Sequence, residues 1–274
     1  MTKTCDTSKV TIREIPKSTA KRMIKKFHYT HSFSSCRFAL GIFYQKDTQH
    51  RFFDTEDEEL IGCMSYGYPV GRSVVGSIFS DDKMLTTKNI LELTRLFIHD
   101  GYGKNIESYS ISQSFKWLKK NAKDIKVLVS YADPTVKHNG SIYQATNWLY
   151  QGEGLNLMPN YSVSLTKPYE WIHSRTVFSR FGSHNIEKLG KAIGHTFWRM
   201  RELEKHRYVY FLGNKKENKL FISKLKYQKL TYPKVGDIKI EITEHKVKEK
   251  KGFYEKFIMG RKVSTKKFRK LYWK

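Results

Sequence analysis

Cysteine is scarce in this chain: three residues in 274, Cys5, Cys36 and Cys63. Scattered and odd in number, they exclude a disulfide framework and a cysteine-built zinc site, and they fit a reducing compartment. Long apolar runs are missing. No stretch of eighteen apolar residues occurs, so no transmembrane helix is expected. The opening segment, "MTKTCDTSKVTIREIPKS", has no apolar centre and does not read as a signal peptide. The expectation is a cytoplasmic protein with no membrane partner. Internal repeats and long low-complexity tracts are also missing. Negative charge is thin: 26 Asp and Glu stand against 51 Lys and Arg, for a formal net charge of +25.

What is present is a core and a cationic surface. An apolar fraction of 39% and an aromatic fraction of 14% suit a globular chain of this length. A net charge this high predicts affinity for a polyanion. It is concentrated beyond Pro168, where 28 basic residues face 10 acidic ones. A lysine-rich solvated surface would explain many lysines, but less easily this asymmetry.

Alternation at Val10, Ile12 and Ile15 predicts a short strand, and Ser18 can cap a helix over 19–26. "CRFALGIFYQ" and "ELIGCMSYGYP" read as a hairpin joined by a polar loop. "ILELTRLFIHD" reads as a central strand with Arg95 inside an apolar run. A glycine-containing turn and a helix follow, then the strand "IKVLVSYAD", a helix over 141–150 and a closing strand "YSVSLTKP". The order predicts an α+β chain: a mixed central sheet flanked by helices, with a basic C-terminal extension. Expected boundaries are 1–167 for the sheet domain, 168–244 for the extension, and 245–274 for a lysine-rich linker and terminal helix that contacts DNA.

Two places carry chemistry. In "HDGYGKNIES", Gly101 and Gly103 let backbone N–H groups turn toward a ligand, Lys104 adds charge, and Asn105 can cap the next helix. Such a helix start favours an anion. In "VSYADP", Asp133 precedes Pro134, which holds it extended, so its carboxylate can project from a strand end. Strand ends in open sheets are where ligands meet residues from separate segments.

The Gly101–Asn105 turn resembles the pyrophosphate loop of the GCN5-related N-acetyltransferase fold, with Ile98 where that pattern places Gln or Arg. Together "LTRLFIHDGYGKNIES", "VSYADP", "GSIYQATNWLYQG" and "FHYTHSFSSCRFALGIF" resemble the Mom proteins of phage Mu, which modify adenine in DNA. The resemblance covers about residues 20 to 235. It implies an acetyltransferase-like fold, double-stranded DNA as partner, and acyl-CoA (acetyl-CoA) or another activated acyl donor bound at Gly101, Gly103, Lys104 and Asn105. It implies a cleft faced by His28, Tyr29, Arg95, Ser108, Asp133 and Tyr143. Asp133 or His28 would take a proton from the adenine amine, and Tyr143 would protonate a leaving thiolate. His28, Tyr29 and Asp133 are also of a ligand type that suits iron or another divalent metal.

Each residue has a structural alternative. Arg95 would form a buried ion pair, Tyr143 a core tyrosine, His28 a helix end, and Ser108 a helix-start donor. Reaching adenine in a duplex requires flipping the base. Tyr66 is the expected stacking partner, with Arg72 nearby. Arg175, Arg180, Arg199, Arg201, Lys266, Lys267 and Arg269 are expected to hold phosphates. The reading is a transferase that adds a methylcarbamoyl or acetamido-type group to adenine N6 and so protects DNA from restriction. Alternatives are an acetyltransferase acting on a protein or small-molecule amine, and a non-catalytic DNA-binding protein on the same fold.

Overall fold

The computed structural model describes residues 4–46, 58–69, 74–81, 84–153, 160–234, 240–247, 256–258 and 261–263. In chain order the strands and α-helices are β1 (Val10–Glu14), α1 (Lys17–Phe27), β2 (Phe38–Gln45), β3 (Glu58–Gly67), β4 (Ile90–Ile98), α2 (Ile106–Asn121), β5 (Val127–Ala132), α3 (Ser141–Gln144), β6 (Leu149–Glu153), β7 (Tyr161–Ser164), α4 (Ser174–Phe181), α5 (Ile186–Ile193), β8 (Phe197–Arg201), β9 (His206–Phe211), α6 (Lys215–Ser223), β10 (Ile242–His245), β11 (Lys256–Ile258) and β12 (Arg261–Val263). Among the described residues no helix is long and apolar enough to cross a membrane.

The elements form two compact units. The first comprises Met1–Ala132, His138–Gly154 and Lys205–Lys234. Its sheet has seven strands in the order β1-β2-β3-β4-β5-β9-β6. All pairs are antiparallel except β4 with β5. This is the mixed, helix-flanked central sheet expected from the sequence. Helix α1 forms because Ala20 and Ile24, one turn apart, bury against Ile15, Ala39 and Cys63 of the sheet. A fully buried Ile contributes about 1.5–3 kcal/mol. The opposite face is covered by α2 through Ile106, Ile111, Phe115 and Leu118, and by Tyr143 of α3.

The second unit comprises Asp133–Lys137, Leu155–Glu204 and Val235–Lys274. Its three-stranded sheet runs β10-β8-β7. Phe197 and Val163 of that sheet pack with Val177 of α4 and with Leu189 and Ile193 of α5. Glu202 takes bonds from the Ser174 backbone N–H at the start of α4 (3.0 Å) and from Ser162 Oγ (2.6 Å).

Several expectations are corrected. The expected boundary at 167/168 gives way to this partition, because "HRYVYF" is not part of an extension. As β9 it lies between β5 and β6 in the main sheet. "YSVS" is a strand of the second sheet and does not close the first. The helix expected over 141–150 stops after Gln144, because Asn147 takes φ +60 and Leu149 and Tyr150 pair with Val209 and Tyr208. Ser18 lies inside α1, whose N-cap is Pro16 with no side-chain bond. The terminal helix, with Lys266, Lys267 and Arg269, lies outside the described residues, as does Arg72.

Candidate active site

The site lies where the sheet divides. Strands β4 and β5 pair only over Ile90–Glu92 with Val127–Val129. Beyond Glu92, β4 stays with β3, while Ser130, Tyr131 and Ala132 of β5 pair with β9. A β-bulge marks the departure. Ser65 opposes Arg95 but Tyr66 opposes Leu93, leaving Thr94 as the extra residue. Thr94 Oγ1 stays 2.8 Å from Ser65 Oγ, so the irregularity is hydrogen-bonded. Bulges of this kind re-aim side chains beside functional sites.

Tyr143 reaches the division from α3. Ser130 Oγ lies 3.0 Å from the Leu93 carbonyl and 2.7 Å from the Tyr143 hydroxyl. Ser130 Oγ is placed to donate to either oxygen, and its one proton serves the Leu93 carbonyl or the Tyr143 oxygen at a time. Burial pushes the Tyr143 phenol up to about 12, opposed by the Ser130 bond. The opposition has a simple origin: once Tyr143 loses its proton, the Ser130 hydroxyl can turn toward the phenolate. The negative forms of Tyr29 and Glu92 also hold Tyr143 neutral. Gly140, just before α3, has φ +79, and a Cβ there would meet the Tyr208 ring at 2.4 Å. Only glycine brings the chain this close while turning it into α3.

Where α1 ends, His28 is buried (8% exposed) and Tyr29 is open (54%). Their rings stack at 4.4 Å, and Tyr29 meets His138 edge-on at 5.4 Å. Thr30 lies against His28 Nδ1 through its N–H at 3.2 Å and its hydroxyl at 2.9 Å. With the N–H donating, Nδ1 is the acceptor and Nε2 carries the proton. Burial, helped by Arg95, His138 and His31, lowers His28 to about 4. Arg95 lies in the field of Tyr29 and Glu92. It donates from Nε to the Ser32 carbonyl and from Nη2 to the Ser32 hydroxyl, both at 3.0 Å, and so pins the loop after His28.

The turn before α2 is open. Gly101 and Gly103 have φ +103 and +94, and a Cβ on Gly101 would meet nothing within 4 Å. Asn105 is the N-cap in left-handed conformation without the expected side-chain bond, so the first N–H groups of this sixteen-residue helix have no side-chain cap. Lys104 is exposed and its carbonyl takes the Cys5 N–H at 3.0 Å. These features fit an anionic group, opposed by Glu107 of the first turn and by Asp100 before Gly101.

The family model described as the Mom protein family matches residues 9–234. The chain belongs to the Mom protein family. A curated relative is the methylcarbamoylase Mom of Escherichia phage Mu. It is 27% identical over 227 residues, covering 78% of this chain and 80% of the relative. Among solved structures, a spermidine N-acetyltransferase from Vibrio cholerae is similar with TM-score 0.39 and 9% identity, covering 75% of this chain and 95% of the other. A ribosomal-protein-S5-alanine acetyltransferase from Vibrio fischeri gives 0.38 and 11%, covering 75% and 94%. At these scores the structural likeness carries no inference about chemistry.

In this Mom family member, His28, Tyr29 and Tyr143 belong to one electrostatic neighbourhood with Arg95. Ser108 stands in the first turn of α2, its hydroxyl bonded to the Asn105 carbonyl at 3.1 Å. Asp133 falls in the second unit, where Oδ1 accepts the Thr135 N–H at 2.9 Å. Among the described residues no three His, Cys, Asp or Glu side chains are grouped to hold a metal ion. With the Thr30 N–H on Nδ1 and the proton on Nε2, His28 in this tautomer has no lone pair free for a metal. In the second unit Arg175 and Arg180 are exposed on α4. Arg199 lies 3.9 Å over the Tyr161 ring and, with Arg201, lines a cavity of about 210 Å³.

Tyr66 is not a stacking partner. It is wholly buried under α2, with its hydroxyl 2.6 Å from Ser114 Oγ. Tyr66→Phe is expected to cost about 1 kcal/mol in denaturant unfolding by losing that bond, with DNA affinity unchanged. Weaker DNA binding would restore Tyr66 as a contact. Glu92 is the residue that sequence reading passed over. It is the last β4 residue in register with β5, and its charge acts on Arg95, Tyr131 and Tyr143. A glutamate inside "ILELTRLF" was the available signal.

Proposed function

We propose that the chain is a DNA modification transferase that places a small acyl-derived group, of methylcarbamoyl or acetamido type, on adenine N6 in double-stranded DNA. The observation that carries this reading is the Tyr143–Ser130–Leu93 relay at the division of β4 and β5. An activated acyl donor, acyl-CoA being the form that suits the Gly101–Asn105 turn, supplies the electrophilic carbonyl. The adenine amine is a poor nucleophile, because its lone pair is delocalised into the ring. The site must therefore make departure of the leaving group easy and remove the amine proton.

Tyr143 is suited to the first task. Its proton is retained to about pH 12, and Ser130 can swing to support the phenolate after transfer. In the balanced step, the N6–carbonyl bond forms, the bond to the leaving atom breaks, and that atom receives the Tyr143 proton. The N6 proton passes to a carboxylate. Asp133 is the family-based candidate for it, and Glu92 stands at the division itself. His28, lowered to about 4, is no stronger a base than an ordinary carboxylate and stays neutral at neutral pH. As an Nε2–H donor it serves better to hold the base or the developing oxyanion.

The test is direct. DNA from cells expressing the chain is digested to nucleosides and weighed by mass spectrometry, beside DNA from cells expressing Tyr143→Phe. A mass increase on deoxyadenosine with the wild type alone is expected. Unmodified nucleosides from the wild type would overturn the reading.

A further inference from the structure

Helix α1 has the sequence KSTAKRMIKKF, with five basic residues and no acidic one. Its inner side is occupied by Ala20 and Ile24, while Lys17, Lys21, Arg22, Lys25 and Lys26 are all exposed. Lys17–Lys21, Lys21–Lys25 and Arg22–Lys26 are like-charge pairs at i, i+4, each unfavourable in an isolated helix. Lys17 also stands at the helix start, where the dipole opposes a cation. Among the described residues none of Lys17, Lys21, Arg22 and Lys25 forms an ion pair. A row of exposed cations that pairs with no acidic side chain among the described residues is a surface complementary to a polyanion.

The row leads to rings. Phe27, the last residue of α1, is 42% exposed and stacks on Phe97 of β4 at 5.6 Å, with planes 12° apart. His99 meets both edge-on, at 4.7 and 4.8 Å. Lys26 Nζ lies 4.9 Å from the Phe27 ring centre. Immediately after this cluster come His28 and Tyr29. Cations in a row with aromatic faces at one end are the pattern used to track a nucleic-acid backbone and hold an unstacked base. At 1.5 Å per residue, Lys17 to Lys25 spans about 12 Å, the rise of about three to four phosphates along one strand.

Resting on the function proposed above, we infer that the outer face of α1, with Phe27, Phe97 and His99, is the surface on which substrate DNA docks. The helix tracks one strand and delivers it toward His28 and Tyr29. The strongly basic second half of the chain, where the sequence places most of its positive charge, is not needed for this contact.

The test compares two triple variants of the full chain, Lys21→Gln/Arg22→Gln/Lys25→Gln on α1 and Lys215→Gln/Lys216→Gln/Lys219→Gln on α6. Both remove three exposed charges from the same unit. Affinity for a duplex oligonucleotide is measured over a range of salt. The slope of log K against log salt should fall by about 3 for the α1 variant, at roughly 0.9 per phosphate contact, and hardly change for the α6 variant. Phe27→Ala should weaken binding of a single strand by about five- to a hundredfold. Circular-dichroism melts of the α1 variant should match or slightly exceed the wild type, since only exposed side chains change and like-charge pairs are relieved. An unchanged slope for the α1 variant, or an equal fall in both variants, overturns the docking surface. Nucleoside analysis of wild-type expression runs in parallel. Modified adenine with an unchanged α1 slope sinks the docking surface alone; unmodified adenine with a lowered slope sinks the transferase reading and leaves a DNA-binding face.

Discussion

Replacing Tyr143 with Phe is expected to lower the rate of the proposed adenine modification by about 10²–10⁴-fold, the usual contribution of a positioned general acid. The fold should survive. Phe keeps the ring among Trp148 and Tyr208, whose centres lie 5.2 and 5.1 Å away. The change removes one hydrogen bond, and Ser130 retains the Leu93 carbonyl as acceptor. The cost in stability should be about 1 kcal/mol. Because burial holds the phenol near 12, Tyr143 should contribute no alkaline fall in rate until close to that value. A wild-type rate in the purified variant would remove Tyr143 from the chemistry and leave it as a core tyrosine.

The second expectation concerns acid. Free histidine titrates at 6.5, and folded His28 at about 4. Between these values the unfolded chain binds a proton that the folded chain refuses. Stability from this group is therefore complete above 6.5 and is lost as pH falls toward 4. The span corresponds to about 2–3 kcal/mol once solvent screening is allowed for. His206 and His245 are also lowered by burial and add losses of the same sign. The measurement is therefore a difference: unfolding free energies of wild type and His28→Gln at pH 7 and pH 4.5. The wild type should lose more across that interval. Parallel losses would mean that His28 protonates without strain, and its buried, Arg95-facing position would need another explanation.

The first sheet was largely legible in the sequence because its strands are short apolar runs bounded by polar turns. The central placement of β4 followed from Arg95 and its apolar neighbours. The α2 start followed from Gly101 and Gly103. What could not be read were features set by distant pairing. Tyr66 and Tyr68 have the same spacing and chemistry, yet Tyr66 lies under α2 and Tyr68 is exposed at 41%, because the strand ends between them at Gly67. The segment 141–150 has a helical pattern, but pairing with β9 overrides it after Gln144. In the candidate site, family-specific order pointed to His28, Tyr29, Arg95 and Tyr143. Ser130 was invisible, because only the third dimension joins it to Leu93 and Tyr143. Charge asymmetry drew attention to the second half of the chain, while α1 also carries five basic residues in eleven.

The placement of β9 has a consequence for how the polypeptide must be made and cut. Residues 206–211 stand between β5 and β6, so the sheet has a gap until the ribosome has released more than two hundred residues. A fragment ending at Lys167 would expose the bonding edges of two apolar strands at once and should aggregate. A permuted chain that brings 205–234 directly behind residue 153 should close its sheet without waiting for the segment in between.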